Sequence, residues 1–165
     1  MLKRTAAVMG VLTLAACAGG TEEQFTISSV TVNTDLSAIQ SRDAVDYWQN
    51  LSSDLETAIA AEFIGAVDPS GHPLTVDVDE LSLSETFSAD ATIDSAALAG
   101  VVTVGDIEPD GRPDPAYTVT ATAQDATPYL QSENVVDIDP STAGYYDAIV
   151  KAFASGAADA VRSGG

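Results

Sequence analysis

Apolar and β-branched residues alternate with polar ones from Phe25 to Thr34, with one slip between Ile27 and Val30 that reads as a bulge in a first strand. The period then changes. Val45, Trp48, Leu51, Leu55, Ile59 and Phe63 recur at spacings of three and four, which predicts a helix with one apolar face, Asp43 as its cap and Gly65 at its end. Trp48 lies on that face and is assigned to the core. Asp68-Pro69-Ser70-Gly71 has turn chemistry. After it Leu74, Val76 and Val78 alternate with Thr75, Asp77 and Asp79, a second strand with one apolar and one acidic face.

Leu81 and Leu83 continue the apolar pattern out of phase, and residues 84 to 95 are polar and read as a loop. Residues 96 to 105 carry Leu98, Val101, Val102 and Val104 and predict a third strand, while Tyr117, Val119, Ala121 and Ala123 alternate with threonines in a fourth. The segment between them, rich in Pro, Gly and Asp, is a hairpin loop. Residues 124 to 140 again read as loop, with Val135, Val136 and Ile138 as a short strand. From Pro140 onward Tyr146, Ile149, Val150, Phe153, Ala157, Ala160 and Val161 share one helical face. Adjacent Tyr145 and Tyr146 cannot both face inward, so one ring belongs at the surface. The order β-α-β-β-β-α predicts an α+β fold: a mostly antiparallel sheet with two amphipathic helices packed on one face and threonine, serine and aspartate on the other.

Upstream of this domain, Lys3 and Arg4 form a positive segment and residues 5 to 16 an apolar run of signal-peptide length, well short of the roughly 20 residues a spanning helix needs. The run ends in Leu14-Ala15-Ala16-Cys17, which resembles the lipobox of bacterial lipoproteins: a leucine, two small residues and a cysteine, here the only one in the chain. The resemblance implies a signal peptide over 1–16 and cleavage that leaves Cys17 as the mature N-terminus, with a diacylglycerol thioether and an amide-linked acyl chain such as palmitate. Two or more chains give stable anchoring, at roughly 0.8 kcal/mol per buried methylene. Ala18 is not the aspartate associated with inner-membrane retention, so the resemblance favours the outer membrane over the inner, with the domain facing the periplasm. Residues 17–24 are then the lipidated cysteine and a tether reaching about 15 Å as a random coil. Residues 25–165 form a single domain. In its order of elements the body also resembles small envelope lipoproteins of assembly and transport-accessory families.

Charge narrows the partners. The chain holds 25 acidic residues, 17 Asp and 8 Glu, against six basic ones; removal of residues 1–16 leaves four basic side chains and a net charge of −21. Phosphate-neutralising Lys and Arg are missing, which excludes nucleic acid and a side-chain grip on anionic head groups. The acidity reads as a solvated surface suited to a salty medium, with a hard-cation site as the alternative.

Catalytic constellations are lacking. His72 is the single histidine, between Gly71 and Pro73 in what reads as a turn, with no nucleophile elbow to serve. Zinc ligands, a phosphate loop and a dinucleotide fingerprint are all missing. Asp106, Glu108, Asp110, Gly111 and Asp114 fall at positions one, three, five, six and nine of a calcium loop, but Tyr117 stands where the bidentate glutamate belongs and the flanks read as strands. An acidic hairpin explains that segment; a metal site at Asp106, Glu108, Asp110 and Asp114, taking calcium, is the alternative. The sequence therefore predicts a lipid-anchored envelope protein with a structural or accessory role, no catalysis and no cofactor beyond the lipid. Its partners are the membrane and an envelope protein. A binding module for a divalent cation or small cationic ligand is the second reading.

Overall fold

The computed structural model describes residues 25–39, 42–79, 97–105, 113–130 and 143–164. Four strands, β1 (Ile27–Asn33), β2 (His72–Val78), β3 (Ala97–Val104) and β4 (Ala116–Thr122), form one sheet in the order β1-β2-β3-β4. β1 and β2 are parallel, and the other two pairings are antiparallel. The fold is α+β with a mostly antiparallel sheet, as the alternation predicted. The parallel pair follows from its connection, because strands joined through a helical crossover run the same way whereas short loops reverse the chain.

That crossover is built of two helices, α1 (Arg42–Trp48) and α2 (Leu51–Glu62), not the single helix expected over 43–63. The break falls at Gln49 and Asn50, where the Gln49 side chain donates to the Asp46 carbonyl at 2.8 Å, and the Asn50 carbonyl takes the first amide of the next helix, that of Asp54, at 3.0 Å. Asp43 lies inside the first turn of α1 and not ahead of it, and Ala44 is buried where Val45 is only partly so. Trp48, Leu51, Leu55, Ile59 and Phe63 remain in phase across the break and are all buried. Gly65, at φ 84°, adopts the left-handed conformation that ends the helix.

The expected bulge is present, with the β1–β2 register shifting between Ile27 and Ser29. It leaves Ile27 buried and in parallel pairing with Val67, whose flanking groups bond to it: the Ile27 amide donates to the Ala66 carbonyl and the Asp68 amide to the Ile27 carbonyl, each at 2.9 Å. The turn at 68–71 closes through the Gly71 amide on the Asp68 carbonyl at 2.8 Å. A Cβ on Gly71 would lie 2.7 Å from the Ile27 carbonyl carbon and the Thr26 oxygen, so glycine is required by close backbone approach.

After β4 the chain forms one helical turn, α3 (Ala123–Ala126), and a 3₁₀ turn (Thr127–Tyr129), where a loop was expected. A capping box starts it: the Thr122 amide donates to Asp125 Oδ2 at 2.9 Å while the Asp125 amide points back at Thr122 Oγ1. Helix α4 (Ala143–Gly164) closes the fold. Tyr145, Ile149, Phe153, Ala157 and Val161 are buried along it, so the inward tyrosine is Tyr145 and not Tyr146.

Helix α2 packs on β1, and α4 packs on β3, β4 and α2, so one sheet face is covered. Its residues, Leu74, Val76 and Val78 with Leu98, Val102 and Val104, are at most 2% exposed. Phe153 is buried against this face, and Gly100 makes room for its ring. The opposite face carries Thr31, Thr75, Asp77, Thr118 and Thr120, all exposed.

Candidate functional site

Helices α2 and α4 run in the same direction. Near their starts the Tyr146 hydroxyl donates to Asp54 Oδ2 at 2.6 Å, and near their ends an Arg162 guanidinium nitrogen donates to the Glu62 carbonyl. Between these two clasps lies a groove of about 520 Å³. Small side chains make it, since Ala58, Ala61 and Ala154 leave the helix surfaces apart where longer residues would fill the space. Tyr129, from the 3₁₀ turn, and Val150 add apolar surface, and Asp54, Glu62 and Asp147 supply carboxylates against the one ammonium of Lys151.

A second hollow of about 360 Å³ continues on the other side of the Tyr146–Asp54 pair, lined by Asp46, Tyr47 and Asn50 among others. The pair is thus a partition between two acidic concavities. Aromatic packing fixes it in place: Tyr146 meets Tyr47 edge-on at 5.3 Å and lies tilted against Trp48 at 5.6 Å, and Tyr47 meets Trp48 edge-on at 4.7 Å. Burial first, then the hydrogen bond and negative charge of Asp54, push the Tyr146 hydroxyl far above its ordinary pKa, so it stays a neutral donor. Arg162 closes the far end, its guanidinium 5.0 Å above the Phe63 ring and 3.9 Å from Asp159.

On the open sheet face a third hollow of about 310 Å³ is lined by Asp77, Asp79, Ala99, Val101 and Thr118. Val101 is 39% exposed there.

Of the residues singled out from the sequence, Cys17, Asp106, Glu108 and Asp110 lie outside the described residues, as do Leu81, Leu83 and the segment 131–142. Asp114 is described and exposed. Among the described residues no group of three or more His, Cys, Asp or Glu side chains is arranged to hold a metal ion, and no helix is long and apolar enough to cross a membrane. His72 does not sit in a turn but opens β2, its Nδ1 3.1 Å from the Gly105 carbonyl oxygen and its ring stacked on Phe25 at 5.5 Å. It has a structural part between the sheet and Phe25.

The α2–α4 groove was not legible from the sequence. Asp54 falls outside the apolar spacing of its helix, and Tyr146 within that of its own. Their pairing spans 92 positions, and the usable signal was the doubled tyrosine, which required one hydroxyl to find a partner away from the core. Comparisons with protein-family models, with curated proteins and with solved structures returned no match.

Proposed function

We propose that the chain is a lipid-anchored protein of the bacterial envelope whose domain has a structural or accessory role without catalysis, presenting its open sheet face to another envelope protein. Leu14-Ala15-Ala16-Cys17 supports the anchor. The observation that carries the interaction role is the uncovered sheet face, where exposed Val101 is surrounded by Asp77, Asp79 and Thr118. An apolar centre with a polar rim is the composition of a contact patch. A photo-crosslinking side chain at Val101 tests this in intact cells: the reading expects one defined envelope protein to be caught there, and to be lost with Asp77→Lys. The same probe at Asp159, on the outer side of α4, is expected to catch nothing defined. Crosslinks of equal pattern at both positions would sink the idea.

A second reading, a binding module for a cationic ligand, is favoured by the α2–α4 groove, where three carboxylates face one ammonium. Ligand-dependent shifts in melting temperature distinguish it from the first.

A further inference from the structure

We propose that the groove between α2 and α4 binds a linear aliphatic polyamine, stretched along the helices. The proposal rests on the cation-binding reading above and gives it a ligand class. The carboxylates are spread along the groove instead of converging on a point. Asp54 and Glu62 are eight residues apart on α2, about 12 Å at 1.5 Å per residue. A single metal ion needs several oxygens at once within about 2.6 Å, and no such group exists among the described residues. A chain of ammonium groups separated by methylenes meets the same acids one at a time.

The surface between the acids suits the spacers. Ala58, Ala61 and Ala154 line it with methyl groups, and Tyr129 and Val150 extend the apolar wall. A volume of about 520 Å³ is in the range of small-molecule sites. Past the Tyr146–Asp54 partition, Asp46 and the Tyr47 ring continue the same alternation of acid and apolar surface in the second hollow. Aromatic faces hold ammonium groups by cation–π attraction. Lys151 in the groove wall and the Arg162 guanidinium at its Glu62 end are the opposing charges, and both tune affinity downward.

Calorimetric titration of the full chain with spermidine, in non-ionic detergent and about 0.15 M NaCl, tests this. The expected result is saturable one-to-one binding that Asp54→Asn and Glu62→Gln each weaken about tenfold or more, Lys151→Gln tightens, and Asp77→Asn on the opposite face leaves unchanged. Asn at 54 keeps an oxygen for the Tyr146 hydroxyl, and Glu62 is exposed, so both variants are expected to fold, which far-UV circular dichroism checks. Absence of saturable binding overturns the proposal. So does equal weakening by Asp77→Asn, which would mean diffuse attraction to an acidic protein. Calcium binding that Glu62→Gln removes, with no spermidine binding, would overturn the polyamine and leave the broader cation reading in place.

Discussion

Replacing Phe153 by alanine removes the side chain that joins α4 to the centre of the sheet. The residue is 0% exposed, and its ring end lies 3.3 Å from the position a Cβ on Gly100 would take. Truncating a fully buried phenylalanine costs about 3–5 kcal/mol, from lost transfer energy and the cavity left behind. With a urea slope of about 2 kcal/mol/M, the unfolding midpoint should fall by roughly 2 M, a large share of the 5–15 kcal/mol typical of a domain. The reverse change, Gly100→Ala, puts a methyl group 3.3 Å from Phe153 Cζ and 2.7 Å from the Asp77 carbonyl oxygen. Overpacking of this kind costs about 1–3 kcal/mol. Because the ring is one of the two obstructions, the double variant should lose less than the sum of the singles, by about 1 kcal/mol, the coupling expected of residues in contact. Urea unfolding followed by far-UV circular dichroism measures all three. A Phe153→Ala midpoint within about 0.5 M of the parent, at unchanged slope, would refute the docking of α4 on β3.

Three further outcomes are expected. Gly71→Ala should destabilise by more than about 1 kcal/mol, since its Cβ would press to 2.7 Å on backbone atoms of Thr26 and Ile27 that cannot rotate away; a neutral urea midpoint would contradict that packing. Stability should fall between pH 10 and 12. Burial pushes the Tyr145 hydroxyl from 10.0 up to about 12, so the native state keeps a proton that the unfolded chain releases. The contribution is complete below pH 10 and is lost on the way to pH 12, on the order of 2–3 kcal/mol; Tyr145→Phe should remove that part of the fall and leave the part due to Tyr146, whose hydroxyl is also held above its ordinary pKa. Because 25 acidic groups repel one another, the melting temperature should rise with sodium chloride, by screening; a flat response would count against self-repulsion as a cost in this fold.

The strands and their buried faces were legible because period-two alternation needs only local reading. Leu74, Val76 and Val78 pointed inward as the pattern required, and the slip between Ile27 and Val30 marked the bulge. Where the sequence misled, a local competitor had won. The Gln49 side chain takes the Asp46 carbonyl at the point where the first helix splits, although the apolar spacing runs through the break uninterrupted. The short helix after β4 was announced by Thr122 and Asp125, a capping box at the end of a strand that was read only as a strand. The parallel pairing of β1 with β2 was already contained in the order strand, helix, strand. The groove was hidden for another reason. Alanines at 58, 61 and 154 have meaning only once two helices are side by side, and the Tyr146–Asp54 bond joins segments that share no local pattern.

Attachment to a membrane through Cys17 is the central proposal. Mass spectrometry of the N-terminal peptide of the protein isolated from membranes measures this directly. The expected result is a peptide beginning at Cys17 that carries a diacylglycerol thioether and an amide-linked acyl chain, and release of the protein from the membrane fraction by Cys17→Ser. A mature N-terminus elsewhere, or an unmodified Cys17, would contradict it.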